Sequence, residues 1–158
     1  LQKDHGDYTI WWGHANSPVL CGKLVISVCM QDSCIDLPGD PSPSYVVAHD
    51  ALTGEQRWMT MRMTDATHEH CDAYTTPILR QIPGRQEIVV MGGQVLDAYD
   101  PGNGKRLWRL SGLVGNRLIP SPVAAHGMIF ATQGMREALL AVKVNGLGER
   151  ARGDKVWE

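Results

Sequence analysis

The residues best equipped for chemistry gather in one stretch, His68-Glu69-His70-Cys71-Asp72. His-x-His followed by a thiol offers donors that suit Zn²⁺ or copper. Asp65, Glu69 and Asp72 add carboxylate oxygens, which a hard ion such as Ca²⁺ prefers. The spacing matches no strong zinc pattern, so the expectation is a polar connecting loop with a capping histidine and no bound metal. His5 and His14 add imidazoles earlier in the chain, but nothing in the sequence brings them near this stretch. Arg62 and Arg117 also fall in connecting segments. With His68 and His70 they are candidates for a ligand-binding loop, against the simpler reading of solvated charge. No catalytic set is recognisable.

Such side chains need a scaffold, and composition limits what it can be. The chain has 158 residues, 43% hydrophobic and 20% charged, with a formal net charge of -2. That balance is globular, neither disordered nor suited to nucleic acid. No segment approaches the ~18 consecutive apolar residues of a transmembrane helix. Gly 17 and Pro 9 imply many turns, as in an all-β chain. Cysteines stand at 21, 29, 34 and 71. Cys29 and Cys34 flank a short loop and could pair; four small buried hydrophobes is the equal alternative.

The scaffold itself is written as a repeat. Ala48-His49-Asp50-Ala51-Leu52-Thr53-Gly54-Glu55-Gln56-Arg57-Trp58 recurs as Ala98-Tyr99-Asp100-Pro101-Gly102-Asn103-Gly104-Lys105-Arg106-Leu107-Trp108. Both follow the pattern A-x-D-x-x-[T/N]-G-x-x-x-W and both follow an apolar, strand-like run. Asp50 and Asp100 can accept from backbone N–H groups two residues on, closing an Asx turn. Gly54 and Gly104 supply positive φ, and Asn103 can stand in the slot of Thr53. Trp58 and Trp108 then land on the return strand, where a large apolar area can pin one unit to the next. Trp58 and Trp108 stand 50 residues apart and Trp108 and Trp157 stand 49 apart. Each unit opens with [S/T]-P: Ser17-Pro18, Thr76-Pro77 and Ser121-Pro122.

Four short strands fit each unit. Ser17–Leu20, Leu24–Met30, Tyr45–His49 and Arg57–Met63 make the first. Thr76–Leu79, Glu87–Met91, Val95–Tyr99 and Arg106–Leu110 make the second, with a tight hairpin at Gly92-Gly93. Ser121–Ala124, Met128–Gln133, Leu139–Val144 and Lys155–Trp157 make the third. Four strands at this period predict β-propeller blades, with a β-sandwich as the weaker alternative. The expected division is 1–15 as a connecting segment, 16–73 as blade one with its outgoing loop, 74–118 as blade two with its loop, and 119–158 as blade three. Two insertions break the repeat, Met30–Ser44 and Thr64–Tyr74, and function is expected where repeats are broken.

The A-x-D-x-x-T-G-x-x-x-W stretch, with its fifty-residue period, resembles the tryptophan docking motif of the bacterial PQQ-like β-propeller repeat family. Ala48–Trp58 matches at every defined position, and the second copy departs only at Asn103. The third copy departs more, with Lys143 where Asp is expected and a long loop over Gly146–Asp154 before Trp157. The ending at Ala141–Gly148 looks most like the uncharacterised secreted branch. The resemblance covers residues 16–158 and implies three blades of a seven- or eight-bladed ring, in the periplasm or outside the cell. It implies a docking role for Ala48, Asp50, Thr53, Gly54 and Trp58, for Ala98, Asp100, Asn103, Gly104 and Trp108, and for Trp157.

Two functions follow from the resemblance. One is a non-catalytic scaffold binding a protein, peptide or glycan at a ring face, with no cofactor. The other is part of a PQQ-dependent quinoprotein dehydrogenase. That chemistry needs oxygen-bound Ca²⁺ and a carboxylate base. The family's enzymes also carry two adjacent cysteines, and no Cys-Cys pair occurs here. The reading therefore leans away from an enzyme. Three blades form an open arc, so the first and third are each expected to keep an apolar face for remaining blades or another copy to cover.

Overall fold

The computed structural model describes residues 5–6, 8–10, 12–31, 43–134, 137–150 and 155–157. The apolar runs form thirteen described strands in three sheets. Sheet one holds β1 (Val19–Cys21), β2 (Leu24–Cys29), β3 (Tyr45–Asp50) and β4 (Gln56–Met61), each antiparallel to the next. Sheet two holds β5 (Ile78–Ile82), β6 (Arg85–Gly92), β7 (Val95–Tyr99) and β8 (Arg106–Leu110) in the same order. Sheet three holds β9 (Val123–Ala125), β10 (Met128–Thr132), β11 (Leu139–Val142) and β13 (Lys155–Trp157). First strands touch one another, β1 against β5 and β5 against β9. Meandering four-stranded blades, stacked with first strands innermost, are the architecture of a β-propeller.

Alternation along each strand decides what faces what. Ile26, Val28, Val46, Ala48 and Trp58 of blade one form one buried core with Ile88, Val90 and Tyr99 of blade two. The other face of blade two, including Val89, Leu96, Ala98 and Trp108, joins Ile129, Leu140 and Val142 of blade three in the same core.

The repeated turns close alike. Leu52 and Thr53 N–H donate to Asp50 Oδ1 (3.0 and 3.1 Å), and Gly102 N–H donates to Asp100 Oδ1 (2.7 Å). Thr53 Oγ1 accepts from Glu55 N–H and Asn103 Oδ1 from Lys105 N–H, so the two residues fill one role. The backbone donors at Leu52 and Thr53 hold the Asp50 carboxyl below the usual carboxylate range. Trp58 then docks on the second turn. Its indole N–H donates to Pro101 O (2.9 Å), and Thr60 Oγ1 donates to Gly104 O (2.7 Å).

Gly104 is required twice, for its φ of +72° and because a Cβ there would lie 2.4 Å from Trp58 Cε3. Gly84 has φ of +82° with nothing within 4 Å of a Cβ. Both Gly→Ala changes carry left-handed strain of about 1–2 kcal/mol. Only Gly104→Ala must also lift the tryptophan off its seat. Urea denaturation should therefore show Gly104→Ala as the costlier change, and equal costs would mean that the glycine seat is not under load.

Several details depart from the sequence expectations. The long loop over 146–154 contains a strand, β12 (Gly148–Arg150), which pairs in parallel with β8 at the outer edge of blade two. An edge strand exposes unpaired N–H and C=O groups, and this segment covers them. The β6–β7 hairpin turns at Gly93-Gln94, not Gly92-Gly93; both turn residues have positive φ (56° and 60°), as a type I′ turn requires. Gly92 instead packs against Met30 and Ala73, where a Cβ would not fit. The inner strands begin after their prolines rather than at Ser17, Thr76 and Ser121. Those residues serve a different purpose: Ser17 N–H donates to Thr76 Oγ1 (2.9 Å), and Thr76 N–H to Ser121 Oγ (2.8 Å). The [S/T] of each opening is thus a rung in a ladder that ties successive blades together.

Among the described residues, blade three offers Trp108 no equivalent turn to dock on. Trp108 is buried, and its indole N–H donates to Glu87 Oε2 (3.2 Å) within its own blade. Glu87 also accepts from Arg80 (3.2 Å) and Arg85 (2.8 Å). Arg80 reaches across to Val144 O (2.8 Å) and Gly127 O (3.3 Å) of blade three. This buried cluster stands where the missing docking turn of blade three would have acted. Trp157 lies on β13 opposite Ala141. Cys29 is a free, buried thiol rather than half of the disulfide that the spacing to position 34 allowed; most of the Met30–Ser44 insert, residue 34 included, lies outside the described residues.

Candidate functional site

Three connections run side by side toward the inner strands: the segment before β1, the segment from β4 to β5, and the segment from β8 to β9. Ala73 bridges in parallel to Leu118, and Tyr74 N–H donates to Leu118 O (2.7 Å). Between them lies an open hollow of about 420 Å³ lined by Trp12, Ala15, Tyr74, Arg117 and Ile119. Ala15, Tyr74 and Ile119 each stand two residues before an [S/T]-P opening, so equivalent repeat positions supply the lining. Trp12 is 65% exposed and Ile119 62%.

The expected ligand-loop residues divide. The Thr64–Tyr74 insert holds one 3-10 turn, His68–His70. Its Glu69 accepts from Arg117 Nη2, and this partner raises the Arg117 pKa further. The Arg117 guanidinium lies 5.9 Å from the centre of the Trp12 ring, within cation–π range. His70 Nδ1–H donates to Gly115 O (2.9 Å), since a carbonyl can only accept. Glu69, His70 and Arg117 thus meet at the hollow's edge and brace the two connections against each other. His68 is exposed at the start of the turn.

Arg62 does not reach this face. It is 3% exposed and ion-paired with Asp97 of blade two (3.1 Å), and its Nη2 also donates to Val95 O (3.0 Å). The strand end carries it into the interface between blades, where the carboxylate compensates its burial. Cys71 Sγ donates to Ala66 O (3.1 Å). No group of three or more His, Cys, Asp or Glu side chains converges among the described residues.

Four described non-glycine residues have positive φ: His68, Gln94, Arg117 and His126. Gln94 and His126 occupy hairpin turns that demand it. His68 (53°) and Arg117 (48°) lie in connections with no such need, on either side of the Glu69–Arg117 pair. Backbone strain of this kind concentrates at ligand-binding loops.

No protein-family model matches this sequence, and no curated protein matches it. Among solved structures, the chain is similar to the crystal structure of BamB from Moraxella catarrhalis, at 15% sequence identity and a TM-score of 0.49. The match covers 86% of this chain and 34% of that one, so this chain spans about a third of the length of that structure.

Sequence reasoning singled out Arg117 and His70 but missed Trp12, Tyr74 and Ile119. The recurring position before each [S/T]-P was the available signal. Trp12, in a segment otherwise rich in polar residues, was the other.

Proposed function

We propose that this chain is a non-catalytic propeller module that binds a protein, peptide or glycan ligand in the Trp12–Arg117 hollow, in the periplasm or outside the cell. The observation that carries the reading is an exposed aromatic and aliphatic lining beside an arginine held in place by Glu69 and Trp12. Aromatic and arginine side chains dominate binding hot spots: rings offer large contact area with few rotors, and a guanidinium presents five donors in a planar fork. The bracing by Glu69 and His70 reduces the ordering cost on binding. No helix among the described residues is long and apolar enough to cross a membrane.

The proposal includes completion of the ring by further blades or by another copy. Val123 (59% exposed) and Leu139 (45%) lie on the face of blade three turned away from blade two, which supports it.

The dehydrogenase reading would require oxygen ligands for Ca²⁺ beside PQQ. Glu69 is committed to Arg117, Asp72 is buried, and no carboxylate cluster forms among the described residues, so these residues do not fit that group.

Selection of a phage-displayed peptide library and screening of a glycan array test the proposal. Binders should lose about 30-fold in affinity to Trp12→Ala, the effect of a hot spot worth about 2 kcal/mol. Binders indifferent to Trp12→Ala and Arg117→Ala would overturn the site. Saturable one-to-one binding of PQQ with Ca²⁺ would favour the enzyme reading instead.

A further inference from the structure

A second pocket, of about 170 Å³, lies between the 5–14 segment and the face of blade one turned away from blade two. Ser27, Cys29, Tyr45 and Val47 form its floor. The segment is fastened over it: Thr9 N–H donates to Gln31 Oε1 (3.1 Å), and Asn16 Nδ2 donates to Val28 O (2.6 Å). The expected bare apolar face of blade one is therefore partly roofed by the chain itself.

Across this pocket, His5 Nε2 and His49 Nε2 face each other at 3.2 Å, with ring centroids 5.2 Å apart. Two nitrogens bound to one tetrahedral ion, at metal–nitrogen distances of about 2.0–2.1 Å, stand about 3.3 Å apart. The observed separation matches that edge. His49 sits on β3 next to a bulge at Ala48/His49. A strand places a ligand more precisely than a loop, and a bulge re-aims its side chain. His49 holds the same repeat position as Tyr99, whose side chain likewise faces back toward the preceding structure.

The geometry points to a transition-metal site at His5 and His49, where a Zn²⁺, Ni²⁺ or Cu²⁺ ion clips the 5–14 segment to the outer face of blade one. Imidazole nitrogen selects these ions over Ca²⁺ and Mg²⁺, which prefer oxygen. Cys29 lines the same pocket as a buried free thiol, which burial pushes up to about 11. His14 stacks on Tyr8 at 5.0 Å, at the pocket's other side. Among the described residues, His5 and His49 supply two nitrogens to such an ion. This site is separate from the His68–His70 stretch and does not depend on the ligand proposed for the Trp12 hollow.

Titration of the chain with ZnCl₂, NiCl₂ or CuCl₂ near neutral pH should show one saturable ion per chain, with no response to MgCl₂ or CaCl₂. Loss of one donor turns chelation into single-point binding. His5→Ala and His49→Ala should therefore each weaken binding at least about tenfold, while His68→Ala/His70→Ala leaves it unchanged. Electron paramagnetic resonance of the Cu²⁺-loaded wild-type chain gives a readout independent of how the variants fold. Coupling to two imidazole nitrogens supports the site. Absence of saturable binding, or binding equally tight in His5→Ala and His49→Ala, would reduce the pair to an ordinary hydrogen bond and overturn the proposal.

Discussion

Asp97→Ala is expected to destabilise the chain by about 3–5 kcal/mol, the cost of breaking a buried ion pair by removing one partner. Asp97 and Arg62 are both almost wholly buried, 3.1 Å apart, and they join blade two to blade one. The carboxylate also accepts from Tyr99 Oη (2.9 Å). Burial, followed by the Asp97 charge, holds the Tyr99 phenol well above its ordinary range, so it remains a donor at any physiological pH. Without Asp97, the guanidinium keeps Val95 O but has no counter-charge, and the phenol loses its acceptor. The cost comes chiefly from the stranded charge rather than from any large net gain of the pair. Arg62→Met/Asp97→Ala should accordingly be less destabilised than the sum of its two single variants. Urea midpoints on the four proteins of this cycle measure it. Additive costs would show that the two side chains do not act as a pair.

Trp108→Ala should cost about 3–5 kcal/mol through the cavity left by a fully buried indole. Trp108 is 1% exposed, sits in the ladder opposite Ala98, and shares the core with residues of blades two and three. Its N–H is one of the donors that satisfy Glu87, which is itself 0% exposed. Trp108→Phe separates the two contributions. It keeps most of the apolar volume and removes the donor, so it should cost less than Trp108→Ala, about 1.5–3 kcal/mol for the lost hydrogen bond to a charged group. Arg80 and Arg85 remain to hold Glu87 in that variant. An unchanged denaturation midpoint for Trp108→Ala would show that the indole does not bear on the interface. The parallel pairing of β12 beside Trp108 adds a second readout. Loss of the indole should speed amide exchange at Gly148–Arg150 before the rest of blade two.

What the sequence determined by itself is the local chemistry of the repeat. Asp50 with Gly54, and Asp100 with Gly104, close their turns through atoms within five residues of each other, so residue type and spacing suffice. The same holds for Thr53 and Asn103, whose side-chain oxygens each accept from the N–H two residues on. The strands β2, β3, β6 and β7 were equally readable as apolar runs, but which residue of each run faces which neighbour was not, because both faces of these strands are largely buried.

Contacts between blades were decided only in three dimensions. Arg62 read as a loop charge, since its partner Asp97 lies on another sheet and nothing local marks the pair. The hydroxyls of Thr76 and Ser121 were visible in each opening, but their role depends on the stagger between neighbouring inner strands. Trp108 looked equivalent to Trp58. It differs because the seat of a tryptophan belongs to the next blade, and the third blade offers Val144 and β12 in place of a turn. The Trp12–Tyr74–Arg117 hollow and the His5–His49 pair arise in the same way. Each joins segments far apart in sequence, and their meeting is set by how whole sheets stack against one another and not by the spacing of residues along the chain.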